Sequence, residues 1–255
     1  MCENDLVFNS KVGRNKTAIQ SPGCPFCNTD ELNGIIDTNQ GIILLKNKFA
    51  TLIDTTQLVL IESAKHDGEI SNYGSSEWLE ILQYALKQWQ KIQNTHEYRS
   101  VLLYKNFGKL SGGSQAHPHM QIVGLKNSDG YAEVKDSNFT GTPVVQLSGA
   151  TVNISDHPIM GFLEFNVTWK NEDVKIAAEM IRQTVKYILT GYYKGRCESY
   201  NLFFYQNRGQ YVCKIVPRFV DSPYFVGYKI PQKFNAERVQ ELIQEYLTFC
   251  DFSKN

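Results

Sequence analysis

LLYKNFG at residues 102–108 and FFYQNRG at residues 203–209 share one pattern: two large hydrophobic residues, Tyr, a polar residue, Asn, any residue and Gly. A segment with helical periodicity precedes each stretch, at residues 75–93 and 172–189, and strand-like apolar residues follow each one. The repetition predicts a chain made of two similar halves, each of which combines a helix with β-rich segments.

The two copies differ in the residues that follow them. Ile122 lies 16 positions after Asn106, whereas Ile215 lies 8 positions after Asn207. The first copy therefore carries an insert, SGGSQAHPH at residues 111–119, that the second copy lacks. We expect the first half to keep a site and the second half to serve as a scaffold or as a wall on the substrate side.

Composition limits what that site can bind. The 255 residues include 26 Lys and Arg against 26 Asp and Glu, so no overall field draws in a nucleic acid polymer or a membrane surface. The N-terminus lacks the character of a signal peptide, and no apolar run approaches the roughly 18 residues of a membrane span. The sequence predicts a cytoplasmic protein whose phosphate binding, if any, is local.

Two of the five histidines, His117 and His119, lie one residue apart around Pro118. In an extended segment they point to the same side, and the preceding glycines and serines offer groups that surround anions. A neutral imidazole attacks phosphorus only in a fixed tautomer, which a backbone carbonyl of this turn could impose, and Gln121 could donate to a phosphoryl oxygen. The alternative is a pair of ordinary edge-strand histidines.

Cys24 and Cys27 are the only closely spaced pair among the six cysteines. Cys-x-x-Cys bracketed by Gly and Pro is half of a typical tetrahedral zinc site, and the two missing ligands have few candidates, among them His66 and His117. A redox pair or two unlinked thiols are the alternatives.

These features resemble galactose-1-phosphate uridylyltransferase and its relatives, which form the transferase branch of the histidine triad superfamily. The specific match is Asn-x7-Ser-x-x-His-Pro-His-x-Gln, from Asn106 to Gln121, and the resemblance is good over roughly residues 20–125. It implies that His119 is the nucleophile and forms a covalent nucleotidyl-histidine. The other implied roles are catalysis for Gln121, phosphate binding for Asn106, Gly113 and Ser114, nucleoside binding for Asn47 and Phe49, and structural Zn²⁺ binding for Cys24, Cys27, His66 and His117.

The resemblance also implies an α+β fold of two tandem histidine-triad-like halves, each an antiparallel sheet with helices packed on it. Residues 1–130 would carry the zinc and catalytic motifs, residues 131–255 would form a degenerate half, and the protein would be a homodimer. FVGYKI at residues 225–230 resembles the family's C-terminal sugar-contacting strand. Pro223 and Lys229 stand where Lys and Glu are expected, so galactose specificity is not carried over.

The predicted activity is that of a nucleotidyltransferase or phosphorylase acting on a nucleotide or nucleotide sugar. It would move a nucleoside monophosphate from a nucleotide sugar or dinucleoside polyphosphate to a phosphate acceptor. The alternatives are a histidine-triad-type nucleotide hydrolase and a zinc-stabilised nucleotide-binding protein with little turnover. Hydrolases of the superfamily usually have a third histidine at the position of Gln121, which favours transfer.

Overall fold

The computed structural model describes residues 4–18, 23–250 and 252, which form two compact units. The first unit comprises the described residues up to Gly68 together with Ile81–Lys105 and Gln115–Glu133. The second comprises Glu69–Glu80, Asn106–Ser114 and the described residues from Val134 onward. The predicted division into halves at residue 130 stays a prediction.

An antiparallel sheet forms the body of the first unit. Its strands are hydrogen-bonded in the order β1-β2-β3-β5-β4, and the last two residues of β4 cluster with the second unit. The elements of this part of the chain are α1 (Ser10–Ala18), β1 (Ile35–Asn39), β2 (Ile42–Lys46), β3 (Thr55–Ile61), α2 (Ser75–Gln93), β4 (Ser100–Phe107) and β5 (His119–Leu125).

Helix α2 spans the residues predicted from their periodicity, and its buried face includes Trp89. Tyr84 and Gln88 donate hydrogen bonds to the carboxylate of Asp37 on β1, at 3.1 and 2.6 Å. The indole N–H of Trp89 donates to the carbonyl of Val101 on β4, at 2.8 Å. These side chains anchor the part of the helix that belongs to the first unit to β1 and β4.

The second unit repeats the strand order of the first. Its strands are hydrogen-bonded in the order β6-β7-β9-β11-β10, so each has a counterpart in β1-β2-β3-β5-β4, and every one of these pairings is antiparallel. The predicted α+β fold of two similar halves is confirmed. The elements are β6 (Gly141–Leu147), β7 (Ala150–Ser155), β8 (Gly161–Phe162), β9 (Phe165–Trp169), α3 (Val174–Lys186), β10 (Tyr200–Asn207), β11 (Gln210–Pro217), α4 (Pro223–Tyr228), β12 (Gln232–Lys233) and α5 (Ala236–Phe249).

A buried ion pair lies in the second unit. Lys214 on β11 donates to Glu164 and to the carbonyl of Asn138, both at 2.8 Å, and the Lys214 and Glu164 side chains are 1% and 0% exposed. Aligning Ile122 with Ile215 places Lys214 at the position that Gln121 occupies in the first half. The first half carries a predicted catalytic amide at this position. At the same position the second half carries a lysine of a structural ion pair.

The segment FVGYKI is not a strand, so the predicted sugar-contacting strand is wrong. Ser222 caps a short helix by accepting a hydrogen bond from the backbone N–H of Tyr224 at 3.3 Å, and Pro223 fits its first turn. Lys229 then ends the helix in a left-handed conformation, with a φ of 53°. Pro223 and Lys229 therefore do not flank a strand, and their comparison with the residues expected there no longer applies.

The predicted helix at residues 172–189 is confirmed as α3, which continues into a π-helical turn over Tyr187–Gly191. Within the described residues, no helix combines the length and hydrophobicity needed to cross a bilayer.

Candidate active site

The four predicted zinc ligands meet in the first unit. Cys24 and Cys27 are joined by a turn in which the Cys27 N–H donates to the Cys24 carbonyl at 3.2 Å. His66 follows β3, and His117 precedes β5, the neighbour of β3 in the sheet. One ligand atom from each of the four residues lies within 4.8 Å of all the others. This cluster can hold a metal ion.

The distances within the cluster fit a tetrahedral zinc site. The Cys27 sulfur lies 3.3 Å from Nδ1 of His66 and 3.5 Å from Nδ1 of His117. Zinc bonds of about 2.3 Å to sulfur and 2.0–2.1 Å to nitrogen place tetrahedral sulfur and nitrogen ligands about 3.6 Å apart. Nε2 of His117 donates to the carbonyl of Ser63 at 2.8 Å, which leaves the Nδ1 lone pair directed at the cluster.

The protonation of two ligands follows from their surroundings. Burial lowers the pKa of His117, so its ring is neutral at neutral pH, the form that binds a metal. Loss of hydration, then a hydrogen bond that the Cys27 thiol donates to Cys24 and the charge of the Cys24 thiolate, raise the pKa of the Cys27 thiol. A metal that binds this site must therefore displace the thiol proton.

His119 is the first residue of β5 and is 7% exposed. Its Nδ1 donates to the carbonyl of His117 at 2.8 Å, the backbone contact predicted for the histidine turn. A neutral ring bonded in this way carries its lone pair on Nε2. The two histidines therefore adopt opposite tautomers: the lone pair lies on Nδ1 of His117, which faces the cysteine and histidine cluster, and on Nε2 of His119.

Register places the predicted catalytic pair on one face of the sheet. His119 lies opposite Ile61 and Gln121 opposite Val59, and residues facing each other across antiparallel strands share a face. Phe26, which lies between Cys24 and Cys27, packs against the hydrophobic cluster of Leu45, Val59 and Ile61. Its ring meets that of His119 edge-on, with 5.5 Å between the ring centroids. The loop from Cys24 to Cys27 thus supplies a side chain that packs beside His119.

The side-chain amide of Gln121 is held from the neighbouring strand. Tyr104 on β4 lies directly opposite it, and the Tyr104 hydroxyl donates to Oε1 of Gln121 at 3.0 Å. Burial raises the pKa of Tyr104, so the hydroxyl keeps its proton near neutral pH. With its oxygen engaged, the amide turns its N–H₂ group away from Tyr104.

The two predicted nucleoside-binding residues follow β2 in the same unit. The Asn47 carboxamide oxygen accepts the backbone N–H of Phe49 at 2.9 Å, and the Asn47 N–H donates to the carbonyl of Gln57. Gln57 on β3 is four positions from Ile61, the partner of His119, or about 13 Å along the strand. The backbone of Asn47 therefore lies about four strand positions from His119.

The three predicted phosphate-binding residues cluster with the second unit. The amide oxygen of Asn106 accepts a hydrogen bond from Nδ2 of Asn201 at 2.7 Å, so its own N–H₂ group is turned elsewhere. The N–H of Gly113 donates to the Ser111 hydroxyl at 3.3 Å, and Ser114 is exposed.

Sequence reasoning missed several residues that contact the predicted site residues: Ser63, Phe26 and Tyr104 in the first unit, and Asn201 in the second. Ser63 acts through a backbone carbonyl, which no residue type reveals. Tyr104 belongs to the repeated LLYKNFG pattern, but its bond to Gln121 depends on the pairing register of β4 and β5. The pattern therefore marked Tyr104 without indicating its partner.

Two solved structures of low identity share the fold. A uridylyltransferase is 15% identical, with a TM-score of 0.71, and the match covers 91% of this chain and 94% of that one. An ADP-glucose phosphorylase from Arabidopsis thaliana, solved with bound ADP-glucose, is also 15% identical, with a TM-score of 0.70 and coverage of 94% and 98%. The resemblance to the uridylyltransferases is thereby confirmed at the level of fold.

Other comparisons find similarity at the level of sequence as well as fold. No functionally curated protein matches the chain. A crystal structure of a DUF4931 family protein from Bacillus cereus ATCC 10987 is 45% identical, with a TM-score of 0.75, and the match covers 84% of this chain and 99% of that one. The N-terminal model of that domain of unknown function (DUF4931) matches residues 8–128, and the C-terminal model matches residues 131–247. The chain belongs to the DUF4931 family.

Proposed function

We propose that this protein is a nucleotidyltransferase or phosphorylase that works through a covalent nucleotidyl-His119. It takes a nucleoside monophosphate from a nucleotide sugar or a dinucleoside polyphosphate and passes it to a phosphate acceptor. The observation that carries the proposal is the 2.8 Å bond from Nδ1 of His119 to the His117 carbonyl. That bond selects the tautomer whose Nε2 lone pair attacks phosphorus.

The reaction consists of two displacements at one phosphorus atom. Nε2 of His119 forms a bond to the α-phosphorus, and the bond from phosphorus to the bridging oxygen breaks. The remainder of the donor leaves as a sugar phosphate from a nucleotide sugar, or as a nucleoside phosphate from a dinucleoside polyphosphate. An oxygen of the acceptor phosphate then attacks, and the electron pair of the P–N bond returns to Nε2. The His117 carbonyl stabilises the positive charge that the ring acquires in the intermediate.

Gln121 suits transfer better than hydrolysis. Its amide N–H donates to a phosphoryl oxygen as negative charge develops there. A neutral amide is a poor base, so it does not remove a proton from water, whereas a histidine at that position could do so. The nucleotidyl intermediate is thereby given time to meet its acceptor.

The cysteine and histidine cluster is proposed to hold one structural Zn²⁺. Cys24, Cys27, His66 and His117 supply four ligands, which fill a tetrahedral shell and leave no position for a reactive water. The metal would fix the cysteine loop and His117, whose carbonyl holds His119. Its contribution is to stability and orientation.

The remaining roles rest on the motif spacing. Asn106, Gly113 and Ser114 are proposed phosphate contacts, and Asn47 and Phe49 are proposed nucleoside contacts. A nucleoside there would lie several strand positions from a phosphate at His119, as the length of a nucleotide requires. Homodimer formation and a cytoplasmic location stay predictions.

The test is a screen of nucleotide donors that carry a radiolabelled α-phosphate, with label on the protein as the readout. We expect wild-type protein to become labelled and His119→Ala protein to fold but remain unlabelled. Exposed His157 provides the matched control, so His157→Ala should label like wild type. His119→Gly should regain donor turnover when imidazole is added.

Full activity of His119→Ala would exclude the covalent mechanism. Labelling followed by rapid loss of the label to water, without any acceptor, would favour the hydrolase. Stoichiometric binding of a nucleotide with neither label nor turnover would favour a zinc-stabilised binding protein.

A further inference from the structure

Tyr104 stands outside the motif that carries the proposed chemistry. It lies on β4 directly opposite Gln121 on β5, and the two side chains share the sheet face that also carries His119. Its hydroxyl donates to Oε1 of Gln121 at 3.0 Å. The proposed catalytic amide is therefore held by a side chain that belongs to another strand.

Such a contact matters because a glutamine amide has two different ends. A half-turn of the terminal torsion exchanges the carbonyl oxygen, which accepts hydrogen bonds, for the N–H₂ group, which donates them. Only the N–H₂ group can stabilise a phosphoryl oxygen that gains negative charge. The carbonyl oxygen at that place would repel it, and it would also accept a hydrogen bond from a water molecule.

Donation from Tyr104 distinguishes the two orientations. The phenol retains its proton in its partly buried setting and donates it to Oε1. In the reversed amide, N–H₂ would donate to the hydroxyl oxygen, and the phenol proton would lose Oε1 as its acceptor. That loss disfavours the reversed amide, because a partly buried phenol is less able than an exposed one to replace the acceptor with water.

We propose that Tyr104 is a positioning residue that fixes the Gln121 amide with N–H₂ toward the transferred phosphoryl group and Oε1 away from it. The proposal rests on the proposed function. Tyr104 itself touches neither the reacting atoms nor the acceptor. Its effect is to make Gln121 a donor only, which favours formation of the nucleotidyl-histidine and withholds an acceptor from attacking water.

The test is Tyr104→Phe, which removes one oxygen atom and keeps the ring. The rate of adduct formation should fall roughly five- to tenfold, the effect of one ordinary hydrogen bond on a barrier. The fraction of isolated nucleotidyl-enzyme that hydrolyses instead of transferring should rise by a similar factor. Gln121→Asn, which withdraws the amide oxygen from Tyr104, should raise the same fraction.

Tyr98 offers a matched control in the same unit. Its hydroxyl donates to the Thr56 hydroxyl at 2.8 Å, and its ring packs on Gly124, away from His119 along the strands. Tyr98→Phe removes an equivalent hydrogen bond between side chains and should leave both the adduct rate and the partition between water and acceptor unchanged.

A double-mutant cycle separates positioning from general weakening of the fold. In a Gln121→Ala background, Tyr104→Phe should have no further effect on either readout, because the amide on which Tyr104 acts is gone. Additive effects would show that Tyr104 acts by another route and would overturn the proposal. So would a Tyr104→Phe protein that partitions like wild type, and in both cases the proposed function would stand.

Failure of the proposed function gives a different result. If wild-type protein forms no adduct with any donor, both the function and the role of Tyr104 are refuted. Thermal melting of each variant shows whether it is folded. If Tyr104→Phe does not fold, an unchanged partition in Gln121→Asn overturns the proposal.

Discussion

Replacing His66 by alanine isolates the contribution of the metal to stability. His66 is exposed, whereas His117 is 0% exposed, so His66→Ala removes a ligand without opening a cavity in the core. In the absence of metal, we expect the free energy of unfolding of the variant to differ from that of wild type by no more than about 0.5 kcal/mol, as is usual for exposed positions. Any larger effect should appear only when zinc is present.

The expected zinc effect can be estimated from linkage. At free zinc a hundredfold above the dissociation constant, binding stabilises the fold by about 2.7 kcal/mol. Loss of an outer-shell partner already lowers metal affinity 10- to 100-fold, so loss of a ligand should lower it at least about hundredfold. The variant would then retain about 0.4 kcal/mol of stabilisation, and its melting temperature in zinc would be roughly 5–9 °C lower than that of wild type.

The assay is thermal unfolding of the wild-type, His66→Ala and His157→Ala proteins with zinc and with a chelator, together with elemental analysis. His157 is an exposed histidine outside the cluster, and its variant should keep the full zinc effect. An undiminished zinc effect in His66→Ala would refute the four-ligand site. Wild-type protein whose melting temperature is the same in zinc and in chelator would refute structural zinc altogether.

Further substitutions test the two halves separately. Lys214→Met leaves the Glu164 carboxylate buried with the backbone N–H donors of Ile159 and Met160, at 2.9 and 2.8 Å. We therefore expect a loss of about 3 kcal/mol in the free energy of unfolding, and a smaller loss for Lys214→Met combined with Glu164→Gln, both measured by denaturant titration. Gln121→His should increase hydrolysis relative to transfer. Wild-type protein should give parallel lines in double-reciprocal plots when donor and acceptor are varied. Intersecting lines would exclude a ping-pong reaction.

Local sequence signals predicted the elements that local physics controls. The apolar periodicity of residues 75–93 gave helix α2 with its bounds, because a helical face is written into residues three and four apart. The repeat of LLYKNFG and FFYQNRG predicted two similar halves, which the matching strand orders confirm. The prediction of a strand at the short segment FVGYKI was wrong. Ser222 and Pro223 start a helix there, and the apolar residues of the segment do not indicate it.

The sequence by itself also determined which chemical groups are present: two thiols in one turn, two histidines around a proline, and an amide two positions later. Their arrangement required tertiary structure. The tautomers of His117 and His119 depend on the carbonyls of Ser63 and His117, and the orientation of Gln121 depends on Tyr104 across a strand pair. Hydrogen bonds of this kind form between residues that only the folding of distant segments brings together, and a linear pattern carries no record of the pairing register.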